Sequence, residues 1–226
     1  MSFFAKLQKE TVAEREALYG VQLIADSLRG DITRETYIEY LTQAYHHVRH
    51  TLPLLMAAGS RVPQEKEWLR RSFAEYIAEE IGHEEWILND IKNSGGDAEK
   101  AKTSEPLLPV DIMISCAYDC VMRRNPVGFL GMVFVLEGTS TALALKAADK
   151  LQEALGLPKK CFSYLLSHGA LDVEHMQFFE KTVNQIVDEK DQQDIIRVAR
   201  VMYQLFADMF RAIAHKNAGA GKILIQ

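Results

Sequence analysis

Residues Phe129–Leu145 read FLGMVFVLEGTSTALAL, with one ionisable residue, Glu137, in the most apolar part of the chain. Apolar side chains recur here every third or fourth position, which is the period of a helix and not of a strand. Successive helical residues turn by about 100°, so Leu130, Val133, Phe134, Glu137, Thr141, Ala144 and Ala148 share one seam. Glu137 thus stands on the face that a neighbouring helix should cover. A lone buried carboxylate is costly, so it must be protonated, paired or bound to a cation.

The same period extends outward in both directions. It predicts helices over 3–29, 34–59, 64–93, 109–123, 126–156, 159–187 and 191–216. The expected architecture is all-α, a compact bundle of seven to eight helices in a single domain covering 1–226. Gly30-Asp31 ends the first helix, Asn125-Pro126 caps the fifth, and Gly156 with Pro158 separates the fifth from the sixth. Pro53 should kink the second helix. The long linker Asn93–Leu107 does not divide two domains, because either half alone would leave a helical face unburied. The last ten residues, NAGAGKILIQ (217–226), are expected to form a flexible tail.

Composition removes several classes of function. The 226 residues are 48% hydrophobic and 25% charged, enough apolar mass for a core without disulfides. Net charge is −5 with no basic stripe, so nucleic acid is not an expected partner. The longest uncharged apolar run, Pro126–Leu136, is shorter than the about 20 residues a bilayer requires. MSFFAKLQKETVAERE turns charged too early for a signal peptide. Three cysteines, Cys116, Cys120 and Cys161, give no disulfide framework, and the expected setting is cytoplasmic.

Two other helices repeat the anomaly of Glu137. In 163–179, SYLLSHGALDVEHMQFF, the face of Tyr164, Leu165 and Phe179 carries His168, Asp172 and His175 at its middle. In 64–93, the face of Leu69, Phe73, Tyr76, Ile87 and Ile91 carries Glu80 and His83, with Glu79, Glu84 and Glu85 nearer its edge. Each motif alone reads as a surface pair or a hydrogen-bonded core histidine. Together they place three carboxylates and three of the seven histidines at mid-seam, with no Lys or Arg among them. Two divalent cations would offset that negative charge. Oxygen and imidazole donors without thiolate suit iron or manganese, and six ligands exceed the usual four of zinc. The set is related to the ferritin-type dimetal pattern, but Asp172-x-x-His175 and the additional His168 depart from it.

In these residues the chain resembles the heme-oxygenase-like dimetal oxidases. These belong to the wider group of heme oxygenases, thiaminase-II-like (TenA/THI-4) proteins and the PQQ-synthesis oxidase. SYLLSHGALDVEHMQFF, EEIGHEE and VLEGTS carry the resemblance, which covers essentially the whole chain. It implies a heme-oxygenase-like fold with metal ligands Glu80, His83, Glu137, His168, Asp172 and His175. It further implies two Fe, or Mn or a mixed pair, and O2 as co-substrate in the oxidation of a fatty-acid-like or amino-acid-like small molecule. Tyr164 matches a tyrosine near the metals in the branch that consumes its own tyrosine, whereas Leu136 stands where that branch has another. Tyr45, Tyr76 and Tyr164 are candidates for cavity lining or redox relay.

Three rival readings remain. A true heme oxygenase would hold iron through a histidine on the first helix, yet residues 3–29 contain none, and His46, His47 and His50 are expected at the surface or as caps. A thiaminase-II-like hydrolase would need a thiol where the fifth helix meets the pocket, and no cysteine lies on that helix. A non-catalytic metal-binding or regulatory protein on the same scaffold is the third. The stripe Ile195, Val198, Met202, Leu205, Met209 and Ile213 reads as core, with a homodimer face as its other use. No membrane partner is expected.

Overall fold

The computed structural model describes residues 1–222, without the side chains of 168–174 and 218–222. No strand occurs among the described residues. The path follows the expected helices, but several of them are divided. The first comprises α1 (Phe3–Glu10), α2 (Val12–Tyr19) and α3 (Gln22–Arg29). At the first break the buried Thr11 turns its hydroxyl back to donate to the Leu7 carbonyl at 2.8 Å. At the second, Gly20 closes α2 and donates its N–H to Glu16.

The second expected helix is α4 (Arg34–Val48) followed by α5 (Thr51–Arg61). Pro53 acts at a distance of four residues, because its ring would strike the carbonyl of Arg49 in a continuous helix. The chain therefore breaks at Arg49–His50 instead of bending at the proline. The third is α6 (Glu67–Glu80) and α7 (His83–Asn93), separated at Ile81–Gly82. Gly82 takes a φ of 88°, which favours glycine. A continuous helix here would also stack Glu80 over Glu84, a like-charge pair one turn apart.

After α8 (Ala98–Thr103) and α9 (Leu108–Arg123) comes the central helix, α10 (Leu130–Leu155). Asn125 caps the turn before it, accepting from the Val127 N–H at 3.1 Å. By length and composition Pro126–Leu155 is apolar enough to cross a membrane, but 67% of its apolar window is buried inside the fold, as in the core helix of a bundle. α11 (Ser163–Val183) and α12 (Glu189–Lys222) pack on it. Gly131 permits the close approach of α12, since a Cβ there would lie 2.7 Å from the Ala199 nitrogen. The expected stripe on α12 is core, with Ile195, Val198, Met202, Met209 and Ile213 all buried. The helix outruns its expected end at 216. Asn217 is held by a 3.0 Å bond to the Thr36 hydroxyl instead of beginning a free tail. The remainder of the tail, 223–226, lies outside the described residues.

Two apolar clusters flank α10. The larger joins α1–α3, α5, α6, α9 and α12 around Phe73, Phe129, Phe179 and Tyr203. The smaller joins α4, α7 and the start of α11 around Tyr37, Ile87 and Phe162. Each fully buried side chain of this size contributes about 1.5–3 kcal/mol relative to exposure. The site lies between the two clusters.

Candidate metal centre

Glu80 closes α6 and His83 opens α7, so the turn at Ile81–Gly82, not a continuous helical face, brings them together. His83 Nδ1 lies 3.0 Å from Glu80 Oε2. The imidazole is 2% exposed and stacks on Trp86 with ring centroids 4.2 Å apart. Glu137 projects from the middle of α10 and is buried. Thr141, one turn on, donates its hydroxyl to the Glu137 main-chain carbonyl at 2.8 Å, which leaves the carboxylate to other partners. His175 comes from α11 and is also buried.

These three helices meet at one point. Donor atoms of Glu80, Glu137 and His175 all lie within 4.8 Å of one another. His83 reaches the cluster through Glu80. The side chains of His168 and Asp172, the other two expected ligands, lie outside the described residues. Glu79, which the periodicity put at the edge, also contributes: its Oε2 is 3.2 Å from His175 Nε2. A wheel drawn through an unbroken helix hides this, because it allots the inward position to one of two adjacent glutamates.

The cluster borders an apolar cavity of about 140 Å³, into which Glu80 and Glu137 both face. Volumes of this order accommodate a benzene-sized ligand in engineered cavities. Leu23, Ile24, Leu136 and Phe210 are among its walls, with hydroxyls from Ser27, Thr36 and Ser140. No Lys or Arg lines it among the described residues. The largely withdrawn Glu80 and the buried Glu137 beside the His175 imidazole, with no Lys or Arg in the described wall, form a donor set that could hold a metal ion. They fit iron or manganese.

The three expected tyrosines part company. Tyr164, in the first turn of α11, lines the cavity. Tyr76 is buried in the core, its ring edge-on to Phe178 with centroids 5.1 Å apart. Tyr45 lies against His46, under the Arg49 guanidinium, and is absent from the described wall. Tyr37 and Tyr40 take the places in the wall that periodicity did not assign. Their spacing with His47 on α4 (three and seven residues) was the available signal. Burial raises the pKa of both phenols, so they line the cavity as neutral groups. Tyr37 donates to the Cys161 carbonyl at 2.8 Å.

His46 and His47 are not at the surface as expected but buried, at 0% and 3% exposure. α4 is packed by α7, α8, α9 and α12, so even its polar side is covered. His46 Nε2 meets the Ser104 hydroxyl at 3.0 Å, and burial, followed by Arg49, pushes its pKa down to about 4. His50 sits at the N-cap position of α5. Its Nδ1 lies 3.1 Å from the Tyr118 hydroxyl. Asp90, fully buried, fixes the start of α11: it accepts from the Ser163 and Tyr164 N–H groups at 3.0 and 2.8 Å. That anchors the turn carrying Tyr164.

Comparison with known structures identifies the fold. The chain is similar to a domain of unknown function with a heme-oxygenase-like fold from Shewanella denitrificans (TM-score 0.84, 21% identity, 96% of this chain and 94% of that one covered). It is similar to a TenA homologue from Pseudomonas syringae (TM-score 0.79, 8% identity, 94% and 93% covered). It is also similar to the heme oxygenase of Leptospira interrogans (TM-score 0.75, 14% identity, 93% and 98% covered). At these identities the likeness establishes the heme-oxygenase-like all-α fold and nothing finer. No curated protein matches the chain. A family model described as iron-containing redox enzyme matches residues 38–207, well over half of the sequence and all of the cluster around Glu80, Glu137 and His175. The chain belongs to the iron-containing redox enzyme family of the heme-oxygenase-like fold.

Proposed function

We propose that the protein is a non-heme di-iron oxidase or oxygenase that uses O2 to oxidise a small, largely apolar organic molecule, fatty-acid-like or amino-acid-like. The observation that carries the reading is the convergence of Glu80, Glu137 and His175 at an apolar cavity whose described wall holds no Lys or Arg. With His83, His168 and Asp172 these residues would hold two iron ions, or manganese in one or both positions. Bound iron supplies the electron transfer and O2 chemistry that amino-acid side chains lack. The chain's own contribution is to hold the donors in place and to exclude water with Leu136, Phe206 and Phe210. Tyr164 presents a phenol to the reacting molecule, and the apolar wall orients its body. The reading carries with it a cytoplasmic setting, a small-molecule substrate, no nucleic-acid or membrane partner, and a homodimer.

The rivals fit the site less well. A cavity of about 140 Å³ suits a small molecule and not a porphyrin. None of the three cysteines is among the described cavity residues, and burial pushes the Cys120 thiol up to about 11, away from nucleophilic use.

The test is anaerobic loading with Fe(II) and a metal count, followed by O2 under a visible spectrometer. About two irons per chain and a transient visible band that decays with O2 consumption are expected. No metal uptake would overturn the assignment. A Soret band in the purified protein would replace it with the heme reading, and metal without O2 consumption would replace it with storage or regulation.

A further inference from the structure

A second cleft, of about 510 Å³, opens between α1, α2, α10, α11 and α12. Helical residues turn by about 100° each, so its α10 residues Phe134, Gly138, Thr141 and Ala142 lie opposite Leu136, Ser140 and Ala147 of the metal-side cavity. Gly138 leaves room here, since a Cβ at that position would meet nothing within 4 Å. Phe4 and Phe134 form an aromatic floor, edge to face with centroids 6.1 Å apart, and Met176 extends it. Unlike the metal-side cavity, this cleft carries charges of both signs: Arg15 enters from α2 and Glu180 from α11. Neither takes part in an ion pair among the described residues. The half-buried Arg15 instead donates to the Gln8 carbonyl at 3.3 Å and bonds to the Tyr203 phenol. Tyr203 is 1% exposed, and burial pushes its pKa up to about 12, so the phenol is neutral and leaves the guanidinium charge uncompensated. Glu10 and Glu14, on the same stretch of chain, face Arg200.

A guanidinium steadied by two neutral acceptors keeps donors for a carboxylate, the partner its planar fork matches best. Glu180 would repel a simple carboxylate in the same cleft, and Arg15 would repel a simple amine. A molecule carrying both a carboxylate and an ammonium group meets both side chains, and a few polar groups over an apolar floor are the usual make-up of a small-molecule site. We propose that this cleft binds an α-amino acid with an apolar side chain. Arg15 takes its carboxylate, Glu180 its ammonium group, and Phe4, Phe134 and Met176 its side chain. The site is separate from the metal centre and does not depend on that reading.

The test titrates L-norleucine, hexanoate and pentylammonium into the full chain in EDTA, with the methionine methyl groups labelled for NMR. The three probes share one alkyl chain and differ only in which charged groups they carry. Met176 lines this cleft and Met132 lines the metal-side cavity, so the two methyls report where a probe binds. Norleucine should shift the Met176 methyl saturably and leave Met132 in place. Hexanoate and pentylammonium should each bind at least about tenfold more weakly, since each lacks one charge-assisted contact. Arg15→Gln and Glu180→Gln should each weaken norleucine by about tenfold or more, and Glu180→Gln should not weaken hexanoate. Because the probe series is read on the unaltered chain, the result stands even if a variant folds poorly. Hexanoate binding as tightly as norleucine overturns the proposal in favour of a plain anion site. A shift at Met132 with none at Met176 overturns it by placing the ligand beside the donor cluster. No shift at either methyl, or unaltered norleucine affinity in both variants, overturns it outright, and none of these results bears on metal binding.

Discussion

Replacing Glu137 by Gln should stabilise the metal-free protein while abolishing its stabilisation by metal, two opposite effects of one nearly isosteric change. Donor atoms of Glu137 and Glu80 lie within 4.8 Å of each other, and both side chains are largely withdrawn from water. At an effective dielectric of about 20, two unit charges at that separation repel by about 3.5 kcal/mol. Gln keeps the volume and one acceptor but not the charge. The variant should therefore recover most of the repulsion, less the charge-assisted bonds it loses, for a net gain of about 1–3 kcal/mol. In a chain of this length each kcal/mol moves Tm by about 2–4 °C, so the midpoint in EDTA should rise by about 2–12 °C. Metal at about 100 times its Kd should stabilise the unaltered chain by about 2.7 kcal/mol and the variant by far less. Calorimetry in EDTA, then with Mn(II), measures both halves. A variant destabilised in EDTA by more than about 1 kcal/mol would refute the reasoning, because Glu137 would then be a bonded, neutral part of a polar core.

Three further predictions concern the frame around the site. Gly131→Ala should cost about 2–3 kcal/mol, read as a lower denaturation midpoint. The new methyl would lie 2.7 Å from the Ala199 nitrogen and closer still to the Ile195 carbonyl oxygen, and backbone cannot rotate aside as a side chain does. His46, with a pKa of about 4 in the fold against about 6.5 in the unfolded chain, binds fewer protons when native. Its contribution is therefore complete above about pH 6.5 and is lost as pH falls toward 4, by at most about 3 kcal/mol. His46→Gln should flatten that part of the stability–pH curve, and an unchanged slope would show that other groups set it. Asp90→Ala should cost about 2 kcal/mol and loosen the first turn of α11, because three donors from Ser163 and Tyr164 lose their acceptor. Amide exchange at Ser163 and Tyr164 should accelerate in that variant while α9 stays protected.

The helices and the anomaly of Glu137 were legible in the sequence because both depend on local pattern. A 3.6-residue period survives whatever packs against it, and a carboxylate in an apolar run marks itself. The helix breaks were not legible, because each depends on a condition the pattern does not record. Thr11 turns back on Leu7 only once its hydroxyl is buried. Pro53 acts on Arg49 and not on its own neighbours. Gly82 takes the left-handed conformation at a point where an unbroken helix would set Glu80 one turn from Glu84. The break at Gly82 also explains how Glu79 was overlooked: the wheel ranks residues on one rigid cylinder, whereas α6 ends at Glu80 and leaves the carboxylates before the turn free to diverge.

The histidines of α4 failed for the converse reason. His46, His47 and Gln43 make the helix look two-sided, yet α7, α8, α9 and α12 pack on it and its last six residues, 43–48, are all buried. Its polar groups are accommodated by long-range partners: Ser104 for His46, and the Leu107 N–H, which donates to the Gln43 amide oxygen at 2.8 Å. Polarity predicts exposure only where the rest of the fold offers no acceptor or donor. The donor cluster obeys the same rule with the opposite outcome. Glu80 and Glu137 face a cavity whose described wall holds no Lys or Arg, and the proposed function meets their charge with metal cations. That convergence of carboxylates on an apolar cavity, and not the match of any single motif, is what connects an apolar helix carrying one glutamate to the proposed iron centre.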